Sequence, residues 1–279
     1  MGNWIPGFRN QIVLDNVVLP VLPGSTFSMP KNYTIPDVFS GNNLFQFVYV
    51  EGLQYPMISL NTMVMSNWFT AQKMALWFLT RNGDDVASAG TLQYWDGKRG
   101  IQAENCKINV MSIGATSGEP LLRCRLTLLG AGAITQLGAK PSAGTIAATP
   151  AAFHHVTLGG GLSTTPGDAK SVASWDLTFS NNLDVCPELN ATPYPTEHNS
   201  GRLTGTMRLV KQAGANMLAD GTACTFTISP PSGTPVTITV HNPLCLDPEE
   251  RTVQSPRQMR EYNYALLGQS PTSAPFSVA

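Results

Sequence analysis

Val172-Ala-Ser-Trp-Asp-Leu-Thr-Phe-Ser-Asn-Asn-Leu183 is the stretch whose pattern decides the fold. Trp175, Leu177 and Phe179 occupy alternate positions, with Asp176 and Thr178 between them. A period of two puts one set on a core face and the other toward solvent, as in a half-buried strand. Arg202 to Lys211, Arg-Leu-Thr-Gly-Thr-Met-Arg-Leu-Val-Lys, reads as the return strand. Between the two lies Asp184 to Gly201, with Pro187, Pro193 and Pro195 and little apolar content. Loops beyond about 12–15 residues without structure of their own are usually functional or disordered. Cys224–Ile228 and Val236–Val240 predict a hairpin around the turn Pro230-Pro-Ser-Gly-Thr-Pro235. The most charged stretch runs from Asp247 to Glu261, and Tyr262–Leu267 reads as a closing strand.

The first half reads the same way. Ile12–Val18 predicts a strand stopped by Pro20, Pro23 and Gly24, and Leu44–Val50 a second one. Met57–Met65 places Ile58, Leu60, Thr62 and Val64 on one face. Trp68-Phe-Thr-Ala-Gln-Lys-Met-Ala-Leu-Trp-Phe-Leu79 predicts a helix, with Ser66 or Asn67 as N-cap and Arg81-Asn82-Gly83 as its stop. Its apolar stripe is wide. A core helix covered on more than one side explains this, and so does a helix partly in a subunit interface. Leu92–Trp95, Lys107–Ile113 and Leu121–Leu129 complete the predicted strands, with Gly114–Pro120 as the last hairpin turn.

The two halves echo each other. Lys31, Asp37, Asn42-Asn43-Leu44 and Tyr55-Pro56 recur as Lys170, Asp176, Asn181-Asn182-Leu183 and Tyr194-Pro195, at a constant offset of 139 residues. Cys106 and Cys245 share that offset, while Leu128-Leu129-Gly130 and Leu266-Leu267-Gly268 slip by one. Solenoid periods run about 20–50 residues, so a repeat this long implies a duplicated domain. The expected division is 1–138, a low-complexity linker over 139–150, and 151–279.

Composition narrows the class. Charged residues make up 13%, about half the usual globular share, and Gly and Pro are frequent. Few charges and many turn formers describe an all-β protein with short strands. A surface so poor in charge fits a protein covered by neighbours. The net charge of −1 provides no global field for gripping nucleic acid. Five cysteines, an odd number without a Cys-x-x-Cys, read as reduced thiols made in a cytoplasm. Cys106 and Cys124 read as core strand residues. No secretory signal is expected from the start Met1-Gly-Asn-Trp-Ile-Pro, and no apolar run is long enough to span a membrane. Without a secretory route, the acceptor sequences at Asn32 and Asn190 carry no meaning.

Catalytic chemistry is not expected. There is no phosphate-binding P-loop and no dinucleotide-binding glycine pattern. Gly159-Gly-Gly161 reads as a turn, and Gly114-Ala-Thr-Ser-Gly118 lies in a hairpin, not at a strand-to-helix elbow. His154 and His155, as neighbours on a strand, would point to opposite faces. His198 and His241 do not complete a metal site with them. Asp84-Asp85 reads as a solvated turn, with too few oxygen ligands nearby for calcium. Arg123, Arg125, Arg251, Arg257 and Arg260 form no basic stripe. No catalytic, cofactor-binding or metal residue is therefore expected, and the chain is not expected to be an enzyme.

Ser171 to Leu183, the Pro-rich loop and the strand Gly201-Arg-Leu-Thr-Gly-Thr-Met-Arg-Leu209 resemble major tail tube proteins of long-tailed, siphovirus-type bacteriophages. Phe153–Leu158 and Tyr262–Leu267 extend the likeness over about residues 150–270. Gly41-Asn-Asn-Leu44, the Trp68–Leu79 helix and the final hairpin carry it into the first half. The chain departs from the pattern in two places. Gln212–Leu218 is a poor counterpart of the helix, and the first half lacks the Gly-x-x-x-x-Gly strand. The resemblance implies a mainly β fold of two tandem tail-tube-like β-sandwich or split-barrel domains, each with at most one short flanking helix. It implies homotrimeric rings of pseudo-six-fold symmetry, stacked into a virion tail tube that conducts DNA during ejection. Asp184–Gly201 would be the inter-ring loop, and Phe45–Met57 would hold its shorter counterpart. Tape-measure and tail-terminator proteins would be further partners, with no membrane involved and synthesis in the host cytoplasm. The alternatives are a different virion structural part, such as a tail terminator or capsid decoration, or a carbohydrate- or receptor-binding β-sandwich module.

Overall fold

The computed structural model describes residues 11–28, 31–34, 50–83, 85–116, 118–132, 134–142, 149–162, 172–185, 194–195, 197–212, 217–246, 251–253 and 259–279. The protein is mainly β, built from antiparallel sheets. In the first half the strands are β1 (Gln11–Leu14), β2 (Val17–Leu19), β3 (Thr26–Ser28), β4 (Lys31–Thr34), β5 (Val50–Gln54) and β6 (Met57–Met63). The helix α1 (Ala71–Met74) and a π-helical turn (Ala75–Leu79) follow. Next come β7 (Arg81–Asn82), β8 (Asp85–Val86), β9 (Gly90–Trp95), β10 (Gly100–Thr116), β11 (Arg123–Leu129) and β12 (Ile134–Leu137). Most of the strand expected over Leu44–Val50 lies outside the described residues.

Three local features differ from the sequence reading, each for a visible reason. Ile12–Val18 is not one strand but a hairpin, because Asp15 and Asn16 take positive φ (49° and 62°) and turn the chain between β1 and β2. Both central residues of a type I′ turn need φ above zero, and Asp and Asn tolerate it. The helix starts later than expected. Its N-cap is Thr70, whose Oγ1 accepts the Lys73 amide at 3.2 Å, while Trp68 and Phe69 sit in the preceding turn and are buried. Finally, β10 begins at Gly100, well before Lys107. Asn105, at φ 48°, and a register shift between Ala103 and Cys106 bend it, so its two ends serve different sheets.

The second half contains β13 (Val156–Gly160), β14 (Val172–Ser180), β15 (Asp184–Val185), β16 (His198–Asn199) and β17 (Thr204–Gln212). It continues with β18 (Cys224–Ile228), β19 (Val236–Val240), β20 (Asn242–Cys245), β21 (Arg251–Val253), β22 (Met259–Leu267) and β23 (Phe276–Val278). The strand order of the first half recurs here. One sheet runs β2-β1-β9-β10-β12 in the first half, and its last four strands match β13-β18-β19-β23 in the second. The facing strands run β3-β6-β11-β10 and β14-β17-β22-β20. In each half one segment crosses between sheets: the bent β10, and β19 continuing through His241 into β20. The correspondence does not follow a constant offset of 139. Thr26-Phe27-Ser28 on β3 occupies the rows of Thr178-Phe179-Ser180 on β14, and Leu128 on β11 that of Leu266 on β22. Cys106 and Cys245 therefore fall on different rows.

The halves are joined through the sheet itself. The C-terminal part of β10 pairs with β14 from Val110–Ser180 to Thr116–Ser174. Within a sheet of thirteen strands this makes a continuous run of eight, β3-β6-β11-β10-β14-β17-β22-β20, with the junction at its centre and β21 pairing with β22 beside β20. The inner face carries Ile58, Leu60, Leu126, Leu128, Met111, Ile113, Trp175, Leu177, Phe179, Met207, Leu209, Tyr262 and Tyr264, all buried. The alternation read from Met57–Met65 and Val172–Leu183 thus holds. The residue that follows the expected linker is tied to the first half: buried Ala151 donates to the Val64 carbonyl at 2.8 Å and accepts the Leu122 amide at 3.0 Å.

Candidate functional site

The outer face of the eight-stranded run is polar and finely textured. Ser59 and Asn61 of β6, Arg125 and Thr127 of β11, Ser112 of β10, Asp176, Thr178 and Ser180 of β14, Thr206 and Arg208 of β17, and Asn263 of β22 occupy it. Its charges are mostly answered locally. Arg208 grips Glu261 with two bonds of 2.8 Å and reaches Asp176 at 3.3 Å. Arg125 donates to Asn61 Oδ1 at 3.1 Å, and Arg123 pairs with Glu119 at 3.1 Å. Such exposed pairs add little stability, but they leave the face with little concentrated charge of either sign. A depression of about 800 Å³ opens on this face near Ser112, Gly114, Arg123, Arg125 and Asp176. It gathers no nucleophile with a base and an orienting group.

The run ends at β3 on one side and, beyond β22, at β20 with β21 following it along the same strand; none of the three has a second partner strand among the described residues. The β20 edge is also apolar on its outer side. Leu244, Leu246 and Leu267 are 40%, 59% and 42% exposed. Edge strands carry unpaired backbone donors and acceptors that template pairing with another chain unless charge, proline or a cover blocks them. Exposed apolar residues beside such an edge mark a contact surface.

The internal junction between halves shows how such an edge is covered. Asn181, fully buried just after β14, donates from Nδ2 to the carbonyls of Trp77 (2.8 Å) and Ile108 (2.7 Å) in the first half. The Asn181 amide donates to the Asn109 carbonyl at 2.8 Å, and the Leu183 amide to Asn109 Oδ1 at 2.9 Å. Below them Phe78 of the π-helical turn stands 6.0 Å from Phe179 and 6.2 Å from Phe276, ring centre to ring centre. The helix read as a wide-striped core element thus buries Trp77 in its own half and lends Phe78 to the other. The i to i+5 bond from the Thr80 amide to the Ala75 carbonyl, at 2.8 Å, sets that turn.

The ends of the Asp184–Gly201 loop close over the same junction. The β15–β16 pairing, Asp184–Asn199 and Val185–His198, forms its neck. Lys107 and Ser200 both bond the Asp85 carboxylate, and the Val86 amide donates to Ser200 Oγ at 2.9 Å. Arg81 donates to the Gly201 carbonyl at 3.3 Å, and the Gly132 amide to the Pro195 carbonyl at 2.6 Å. His198 Nε2 lies 3.1 Å from the Gly130 carbonyl, so the neutral ring carries its proton on Nε2. The described parts of this loop are therefore fastened to the first half of the same chain. Residues 186–193 lie outside the described residues, as do residues 45–49 of the counterpart expected in the first half.

These contacts make the junction acid-sensitive. Burial, then the nearby Lys107 charge, pushes the His198 pKa down from 6.5 to about 4. Burial works to raise the Asp85 pKa, but the bonds from Lys107 and Ser200 and the Lys107 charge outweigh it, and the net shift is downward. A histidine with a depressed folded pKa takes up its proton more readily when unfolded. Stability is therefore complete above pH 6.5 and is lost as pH falls toward about 4. Urea unfolding across that range is expected to show a loss of roughly 3 kcal/mol at most from this group. Asp85 adds to the loss at lower pH. His198→Gln, which keeps a donor for Gly130, is expected to flatten the His198 limb; an unchanged slope would exclude His198 as its source.

The remaining candidates from the sequence fall apart as sites. His154 and His155 do not straddle a strand. They lie in a 3-10 turn with ring centres 4.1 Å apart, and the Ala152 amide donates to His155 Nδ1 at 3.0 Å. Among the described residues, no group of three or more His, Cys, Asp or Glu side chains is placed to hold a metal ion. Gly159 and Gly160 end β13, and Gly114 lies within β10, where a side chain would collide with Asp176. Asp84 lies outside the described residues, and Asp85 is bonded at the junction rather than solvated. Cys106, Cys124 and Cys224 are buried, and burial pushes the Cys106 and Cys224 thiols up to about 12. Trp68, Trp77 and Trp175 are buried too, and give no stacking platform for a sugar. No helix among the described residues is long and apolar enough to cross a membrane.

Sequence reasoning missed the junction residues. Asn181 is legible only as part of the repeated Asn-Asn-Leu, and Lys107 only as a strand residue. The signal available for the β20 edge was Leu244 and Leu246 beside a charged stretch. No family model matches the chain, and no curated protein matches it.

Proposed function

We propose that this chain is a structural subunit of a bacteriophage tail tube, with chains joined edge to edge into rings around a DNA-conducting lumen. The observation that carries the reading is the continuous run of eight strands, polar and nearly charge-balanced on one face, with β3 at one end and β20 at the other lacking an outer partner strand among the described residues. Each half contributes four strands in the same order, so the chain reads as two fused copies of one unit. Three chains would then close a ring of about 24 strands, wide enough to leave an open lumen where 16–18 strands already do. Head-to-tail contacts of this kind close into rings when the rotation allows.

The polar face suits a lumen wall. Serine, threonine and asparagine dominate it, and its arginines are paired, so it offers DNA few cations to hold. The role needs no catalytic group or cofactor. Its site in a cell would be the virion tail, after synthesis in the host cytoplasm, with tape-measure and tail-terminator proteins as neighbours.

Negative-stain imaging of the purified chain, with sedimentation to count subunits, tests the reading. Hollow rings or tubes with three chains per ring are expected. A chain that stays monomeric at high concentration, or that binds glycans as a monomer, would sink it.

A further inference from the structure

The internal junction carries a register that the open edges repeat. Within the chain, β10 meets β14 with Val110 opposite Ser180, Met111 opposite Phe179 and Ser112 opposite Thr178. The row Phe179–Gly205–Leu266–Pro243 in the second half matches the row Phe27–Ile58–Leu128–Ile108 in the first. Counting along each ladder, Leu244 opposite Ala265 takes the place of Val110 opposite Thr127, and Cys245 opposite Tyr264 that of Met111 opposite Leu126. The Leu246 amide bonds the Asn263 carbonyl at 2.8 Å, continuing the series at the place of Ser112 opposite Arg125. On the other edge β3 presents Thr26-Phe27-Ser28, the same tripeptide that β14 presents to β10.

Exposure agrees with this correspondence. Leu129, in the first half, is 5% exposed, while its counterpart Leu267 on β22, next to β20, is 42% exposed. Leu244 and Leu246 stand uncovered on the same strip. Small Ser28 and Thr26 would face these large residues across a new ladder, as Ser180 faces Val110 within the chain.

We infer that a second copy of this chain docks its β3 on the β20 edge in the register of the internal junction, with Leu244 opposite Ser28, Cys245 opposite Phe27 and Leu246 opposite Thr26. This rests on the ring-forming reading above, to which it adds the residues that meet. Directly opposed residues of antiparallel strands have Cβ atoms about 4.5–5.5 Å apart and diagonal ones lie farther off, so only the opposed pair comes near disulfide distance.

The test is the double variant Leu244→Cys/Ser28→Cys, with the shifted pair Leu244→Cys/Thr26→Cys as control; both retain the native cysteines. After mild oxidation of assembled particles, non-reducing gels should show chains linked up to the trimer for the first pair and monomer for the second. Cross-linking in the shifted pair, or in neither pair although rings form, would overturn the register and leave the ring reading standing. Failure of the unmodified chain to assemble would remove both. A charge swap gives a readout independent of oxidation. Leu244→Glu or Ser28→Lys alone should reduce ring yield, and the two together should restore it; absence of rescue in chains that fold normally counts against the pairing.

Discussion

Phe179→Ala is expected to destabilise the chain by about 3–5 kcal/mol, the range for emptying a buried aromatic site. The ring is fully buried and stands 4.1 Å from Phe276 and 6.0 Å from Phe78. It therefore touches the second half's own sheet and the first half's π-helical turn at once. Neither neighbour can collapse into the gap easily, because each is fixed by a separate element. The loss should appear in urea unfolding followed by near-UV circular dichroism. The two halves should also unfold less cooperatively, since the aromatic cluster is shared between them. A loss below about 1 kcal/mol would mean that the junction does not depend on this cluster.

Asn181→Ala is expected to cost about 2–4 kcal/mol, because each buried carbonyl left without a donor costs about 1–3 kcal/mol. The Nδ2 group serves both Trp77 and Ile108, which belong to different elements of the first half. Truncation opens the junction beside the β10–β14 ladder. Amide exchange should accelerate at Asn181 and Leu183, whose own amides bond Asn109. Unchanged stability, with protection retained at both amides, would show that the carbonyls find other donors.

These two residues show how unevenly the sequence discloses the structure. Phe179 is legible: alternation with Trp175 and Leu177 places it on a core face whatever that face packs against. Asn181 is not. A polar residue at the end of an apolar strand reads as exposed, and its burial makes sense only once Trp77 and Ile108 supply acceptors from more than 70 residues away. Lys107 is similar, being buried against an Asp85 that reads as a solvated turn. The helix boundary failed on local chemistry. Ser66 and Asn67 are good cap residues by type, but the chain is still turning there, and Thr70 does the capping. The short motifs repeated at 139 do not follow the matching of strand rows, which sets Thr26–Ser28 against Thr178–Ser180, 152 residues on, and Leu128 against Leu266, 138 residues on.

The residues alone determined the β class, strands over Met57–Met65 and Val172–Leu183, of which Met57–Met63 and Val172–Ser180 form, their buried faces, and the hairpin from Cys224 to Val240. Side chains carry that information, since a period of two separates apolar from polar residues along each strand. Only the tertiary structure decided that β10 meets β14, that the loop after β14 fastens to the first half, and that β3, β20 and β21 have no outer partner strand among the described residues. Strand pairing is made by backbone amides and carbonyls, which every residue but proline offers alike. The sequence therefore marks which face is buried but scarcely which edge is joined.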